Sequence, residues 1–233
     1  MKYNYADLIV EVTRRCNMCC AHCMRGDAEN IDINPAYIDK FFEHVESIGN
    51  LTFTGGEPTL NLDAIEHTLE VVKARNIHVS SFYLVTNGKE VSERFLRLMI
   101  DWTVYCLSCD PYTMSEDGMG GVALSQDVFH EKIPPINRIR LRSLSVFRPD
   151  DKKTDFSIRR PIKLGRARSL DATEVNRYGI SVEENCIEGD ITLTATGDIL
   201  PDCDYEFCET ENISIATVDG IEALFSYYET EAA

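Results

Sequence analysis

Cys16, Cys20 and Cys23 stand at C-x3-C-x2-C spacing in the run Thr13-Arg14-Arg15-Cys16-Asn17-Met18-Cys19-Cys20-Ala21-His22-Cys23. Cysteines this closely spaced, in a chain whose first residues carry no hydrophobic signal segment, read as metal ligands rather than disulfide partners. A cubic four-iron cluster normally takes four thiolates. Three would hold three irons and leave the fourth open to a substrate or cosubstrate, much as an open zinc site differs from a closed one. Cys19 offers a competing arrangement, because Cys16-x2-Cys19 and Cys20-x2-Cys23 form two C-x2-C pairs of the zinc-knuckle kind. Four sulfurs within eight residues would crowd one tetrahedral ion, so the iron–sulfur reading is preferred and Cys19 is a bystander.

Other chemistry-bearing groups recur at strand ends. In Thr54-Gly55-Gly56-Glu57-Pro58-Thr59 the glycines let backbone approach a ligand closely, Glu57 can accept from an ammonium group, and Pro58 stiffens the turn. Val85-Thr86-Asn87-Gly88 is a second polar turn of this kind. Taken singly, each reads as an ordinary turn. Ser108 and Asp110 share one face of an expected strand, as do Arg138, Arg140 and Arg142 on a later one. Arg140 or Arg142 could clamp a carboxylate in bidentate fashion. Cys186, Cys203 and Cys208 make a third cysteine set, able to hold a second cluster or zinc, or to be buried thiols.

Alternating strands and helices would position these groups. Strands are expected at Asp7–Val12, Leu51–Thr54, Ser81–Val85, Val104–Asp110, Ile136–Phe147 and Phe156–Leu164. A first helix opens at Asn34-Pro35 with Ile38, Phe41, Phe42, Val45 and Ile48 on one face. A second is capped by Asn61, and a third covers Ser92–Ile100. Thr196-Gly197 turns a hairpin, and a last helix aligns Ile221, Leu224, Phe225 and Tyr228. Such alternation implies βαβ units and a parallel sheet. Six strands in about 165 residues are too few for an eight-stranded barrel. Period-two alternation puts Glu11 and Thr13, and likewise Thr52 and Thr54, on an inward polar face.

Composition sets outer bounds. With 233 residues and 44% hydrophobic content the chain can bury a sizeable core, and it holds no apolar run long enough to span a membrane. A formal net charge of −16 argues against general nucleic-acid binding. Residues 138–168 nonetheless hold eleven Lys and Arg against three Asp, whereas residues 201–233 hold nine Asp and Glu and no Lys or Arg. The basic stretch is either a solvated loop or a face for an anionic ligand.

The cysteine loop, the Gly55-Gly56-Glu57-Pro58 run and the Thr86-Asn87-Gly88 turn together resemble the radical S-adenosyl-L-methionine (SAM) superfamily. The resemblance covers residues 7–165, and residues 165–210 more loosely. It implies an α/β fold, a partial (β/α)6 barrel over residues 1–165 with a small C-terminal hairpin-plus-helix extension over residues 166–233. It implies a 4Fe-4S cluster on Cys16, Cys20 and Cys23, whose free iron chelates SAM. One electron then splits SAM into methionine and a 5'-deoxyadenosyl radical that abstracts a substrate hydrogen atom, with the chemistry carried by the cofactors. Family roles follow position by position. Gly55, Gly56, Glu57 and Pro58 contact the methionine amino group; Thr86 and Asn87 lie near the ribose; Ser108 and Asp110 contact ribose or substrate; His22 packs near adenine.

Leu164-Gly165-Arg166-Ala167, followed by Cys186, Gly197, Cys203 and Cys208, is similar to the opening of the SPASM and twitch extensions, which bind auxiliary iron–sulfur clusters. Five residues rather than four separate Gly197 from Cys203, and the later SPASM cysteines are absent. The implied function is modification of a peptide or protein side chain, with a nucleotide or other small molecule as the alternative substrate and a zinc-stabilised binding module as the non-enzymatic one. No separate leader-binding domain is expected before the cysteine loop. The implied partners are the substrate and an electron donor such as flavodoxin or ferredoxin; the lack of an apolar span and of a signal segment gives the expectation of no membrane partner and a cytoplasmic location.

Overall fold

The computed structural model describes residues 2–112, 120–148, 161–177 and 179–232. Five parallel strands run in chain order through the first two thirds: β1 (Tyr3–Thr13), β2 (Val45–Gly55), β3 (His78–Thr86), β4 (Gly121–Leu124) and β5 (Phe147–Arg148). Between them lie α1 (Pro35–Phe42), α2 (Leu62–Arg75), α3 (Glu93–Cys109) and α4 (Pro135–Arg142). The alternating pattern is visible in the burial of the strands. Leu8, Val10 and Val12 of β1, Leu51 and Phe53 of β2, and Phe82 and Leu84 of β3 enter one apolar core with the helices. Glu11, Thr13, Thr52 and Thr54 occupy the other face, as period two requires.

The helices start where their caps direct. Asn34 accepts from Ala36 N ahead of Pro35, Asn61 from Ala64 N, and Ser92 from Phe95 N. Asn76 closes α2 in the left-handed conformation at φ 53°. Helix α1 is shorter than expected: Val45 and Ile48 belong to β2, where both are buried against the same core. The apolar period that suggested a longer helix comes from two elements facing one interior.

Two expected strands are helices. Residues 104–109 continue α3, and residues 136–142 form most of α4. In α3 the buried set Phe95, Leu98, Met99, Trp102 and Cys106 keeps a helical period across the whole segment, and Trp102 packs edge-on against Phe53. The alternation of Val104, Cys106, Ser108 and Asp110 is a fragment of that longer period; Val104 is 61% exposed. In α4 a proline occupies the first turn, and Asn137 and Leu141 are the buried residues, one helical turn apart. Of the expected strand Phe156–Leu164, residues 156–160 lie outside the described residues, and Ile162 makes only an isolated bridge to Thr173.

The C-terminal part continues the same sheet. After β6 (Ser181–Glu183), strand β7 (Cys186–Leu193) runs parallel to β1, and β8 (Asp198–Leu200) and β9 (Ala216–Thr217) extend the edge in antiparallel fashion. The strand order is β5-β4-β3-β2-β1-β7-β8-β9. The Thr196-Gly197 turn falls between β7 and β8 as expected. A short α5 (Thr210–Ile213) precedes α6 (Ile221–Glu231), which buries Leu224 and Tyr228, with Tyr228 set edge-on to Tyr3. Among the described residues, no helix is long and apolar enough to cross a membrane.

Candidate active site

Register brings the motifs together before any side chain is considered. Thr13 at the end of β1 pairs with Gly55 at the end of β2. The ladder continues past both strands: Gly56 N donates to Thr13 O at 2.9 Å and Glu57 N to Arg15 O at 2.8 Å. Glycine is required for that approach. A Cβ on Gly55 would lie 2.0 Å from Thr13 O, and one on Gly56 2.3 Å from Arg15 O. The two glycines therefore seat this turn on the first residues of the cysteine loop, and both also line the cavity that lies over it.

Glu57 then ties in the third motif. Its carboxylate is buried and accepts from Thr59 N (3.2 Å), Thr59 Oγ1 (2.7 Å), Thr86 Oγ1 (2.7 Å) and Asn87 N (2.8 Å). Burial raises its pKa, while the bonds from Asn87, Thr59 and Thr86 oppose the rise. Asn87 Nδ2 reaches the cysteine loop at Asn17 Oδ1 (2.8 Å), and Lys89 Nζ bonds Asn17 O (2.8 Å). From behind, Asn137 of α4 donates to the carbonyls of Gly88 and Lys89 at 3.1 and 2.8 Å.

One cavity of about 230 Å³ lies over this junction. Cys16, Cys20, Cys23, Glu57 and Asn87 line it, and Cys19, which is exposed, does not. The three lining thiols feel one another. Burial, then Cys16 and Cys23, push the Cys20 thiol up to about 11, and burial, with Glu57 and Cys23, raises that of Cys16; Arg166 opposes both rises. Three free thiols facing one cavity, none of them in a disulfide, fit an iron centre that would take them as thiolates. The residues present thus suit a cluster with three protein ligands.

Of the residues expected at the site, Gly55, Gly56, Pro58 and His22 also line the cavity, and further wall comes from segments not identified from sequence. Ser125 follows β4, its N bonded to Thr86 O (2.8 Å), and its hydroxyl lies 3.1 Å from His130 Nε2. His130 Nδ1 is 2.7 Å from Asp127 Oδ1 but is not aligned for a hydrogen bond. Asp127 Oδ2 also reaches His22 Nε2 at 3.2 Å, and the His22 ring stacks on Phe129. Burial, with His130 and Arg166, lowers the His22 pKa although Asp127 opposes it. Cys20, His22 and His130 place one ligand atom each within 4.8 Å of one another. Arg25, Arg166 and Phe207 complete the wall. The signal for Ser125 was the short apolar run Val122–Leu124 after Gly120-Gly121; no local pattern marks Arg25 or His130.

Several expected site residues lie elsewhere. Ser108 is exposed near the end of α3, its hydroxyl spent on Tyr105 O, and Asp110 caps that helix. Arg140 donates to Val91 O and Arg142 is exposed on α4. None of the four lines the cavity, because the strands expected to carry them are helices packed on the outside of the sheet. Cys186, Cys203 and Cys208 are not gathered either. Cys203 is surrounded by Asp190, Asp204 and Asp202, and Cys208 by Glu206 and Glu209. Cys186 starts β7 opposite Asn4, about 13 Å along the strand from Asp190 at the usual rise per residue. The hairpin folds residue 203 back beside the middle of β7, away from its first residue.

The polar inner face of β1 is covered by the chain's last third. Glu11, fully buried, accepts from Arg14 Nε (2.9 Å) and Ala195 N (3.0 Å) and from the Tyr205 hydroxyl. Arg14 also donates to Phe207 O, Thr196 Oγ1 and Thr210 Oγ1, each at 3.2 Å. Burial opposes its charge, but Glu11 and Glu29 outweigh that and hold the guanidinium ionised. Arg25 lies over the Tyr205 ring, 3.7 Å from its centre, and bonds Tyr205 O at 3.0 Å.

Comparison with known proteins gives the family. The family model of the radical SAM superfamily matches residues 10–140, more than half of the chain. An uncharacterized protein of Methanocaldococcus jannaschii is 29% identical over 91 residues, 37% of this chain and 32% of that protein, so the match spans about a third of the relative's length. Among solved structures, native anSMEcpe with bound AdoMet and Kp18Cys peptide shares the fold at a TM-score of 0.50 and 11% identity, over 99% of this chain and 84% of that one. Streptococcus suis SuiB bound to S-adenosylmethionine is more distant, at a TM-score of 0.38 and 12% identity over 86% of this chain and 60% of its own. The chain belongs to the radical SAM superfamily, and its cofactors are a 4Fe-4S cluster and SAM.

Proposed function

We propose that Cys16, Cys20 and Cys23 hold the cluster, that SAM lies against Glu57 and Asn87, and that the substrate is a peptide or protein side chain. When bound, the cluster and SAM supply one-electron cleavage and hydrogen-atom abstraction. The chain's own residues bind and orient. The observation that carries the reading is the convergence of three thiols, Glu57 and Asn87 on one cavity, wired together by backbone bonds at the ends of β1, β2 and β3. Among the described bonds, Glu57 Oε2 accepts only from Asn87 N, which leaves it capacity for an ammonium group.

The peptide class draws its support from the extension after residue 164 and from the peptide held by a neighbour of the same fold. Anaerobic incubation of the reconstituted protein with SAM, dithionite and a peptide mixture tests it. A peptide mass change matched by 5'-deoxyadenosine is the expected result. SAM cleavage stimulated by nucleotides, with every peptide unchanged, would overturn the substrate class and leave the cofactor reading standing.

A further inference from the structure

The Gly165–Ser169 turn lies against the cysteine loop although it is remote from it in sequence. Arg166 N donates to Cys23 O at 2.9 Å, and Arg166 Nε donates to Cys20 O at 2.9 Å across 146 residues of chain. Its Nη1 pairs with Asp27 at 2.9 Å, beyond the last cysteine. One residue thus grips the carbonyls of two proposed cluster ligands and the far limb of their loop. The turn can come this close only because it begins with glycine: at φ +52° a Cβ on Gly165 would lie 2.5 Å from both Cys23 O and Gly26 N. Arg166 also lines the same cavity as Cys16, Cys20 and Cys23, which brings its charge beside the sulfurs.

We propose that Arg166 is a positioning residue for the cluster. It clamps the Cys20–Cys23 arc from outside the loop, and it sets a permanent positive charge beside the sulfurs that favours the reduced cluster. The proposal rests on the reading that Cys16, Cys20 and Cys23 are the ligands. Arginine does not deprotonate in proteins. Reduction adds one negative charge to the cluster, so a fixed neighbouring cation raises the reduction potential. Partners that orient metal ligands typically change metal affinity by about 10–100-fold when removed.

The test compares wild type, Arg166→Gln, Arg166→Lys and Cys20→Ala after anaerobic reconstitution. It reads iron per chain, the rate of iron loss to a chelator, and the midpoint potential from a redox titration followed by electron paramagnetic resonance. Arg166→Gln should lose iron about tenfold faster or more and titrate at a more negative potential. Arg166→Lys keeps the charge without the fork, so it should lose iron faster while titrating close to wild type. That split would not arise from a purely structural role. Wild-type retention and potential in Arg166→Gln would overturn the proposal, as would equal potential shifts in both variants. If circular dichroism shows Arg166→Gln unfolded, unchanged iron retention in Arg166→Lys overturns it alone. A wild-type protein that takes up no cluster, or a Cys20→Ala protein that keeps a full one, sinks the ligand reading instead.

Discussion

At the scale of single residues, packing around the motifs decides as much as their chemistry. Gly56 has Arg15 O where its Cβ would be, and that oxygen belongs to backbone already bonded to Glu57 N, so it has little freedom to yield. Gly56→Ala should therefore lower stability by more than about 2 kcal/mol and reduce iron uptake, read from denaturant midpoints and iron per chain. Asp204 makes a pH-dependent case. Burial first, then Asp202 and Asp190, hold its carboxyl above the ordinary value of 3.8, with Arg25 pulling the other way. A carboxyl raised on folding favours the folded state while protonated and loses that advantage as pH climbs through the raised value. Asp204→Asn should then raise the melting temperature at pH 7, with the gain vanishing below pH 3.8. A gain equal at both pH values would contradict the crowding of Asp190, Asp202 and Asp204.

At the scale of elements, α3 and α4 separate the true cavity wall from residues that only looked suitable. Ser108, Asp110 and Arg142 lie on or cap helices outside the sheet, so alanine at each should leave SAM cleavage within about twofold of wild type. A loss of tenfold or more at any of them would place that residue in the site. The sequence was legible where a motif and its element coincided: Cys16–Cys23 after β1, Gly55–Pro58 after β2 and Thr86–Gly88 after β3. It misled where a short alternation was cut from a longer helical period, as with Val104–Asp110 inside α3. The contributions of Arg166, His130 and Arg25 depend on contacts between segments far apart in the chain, such as Arg25 on Tyr205. No local spacing encodes those, and the dispersal of Cys186 from Cys203 likewise follows from where the hairpin returns.

At the scale of the whole molecule, the last third is part of the platform beneath the cavity. β7 pairs with β1 from Asn4 to Val10, and Glu11, Arg14 and Arg25 bind residues 195–210. Thermal unfolding followed by far-ultraviolet circular dichroism and by Trp102 fluorescence should give one coincident transition; two separated transitions would show the last third to be independent. The account as a whole depends on a cluster with three thiolate ligands and one vacant corner. The most direct measurement is 5'-deoxyadenosine released from SAM by the anaerobically reconstituted, dithionite-reduced chain, compared with Cys20→Ala. The account predicts about four irons per chain and 5'-deoxyadenosine from wild type, with none above background from the variant. A protein that holds zinc without iron and sulfide, or cleaves SAM equally well without Cys20, would contradict it.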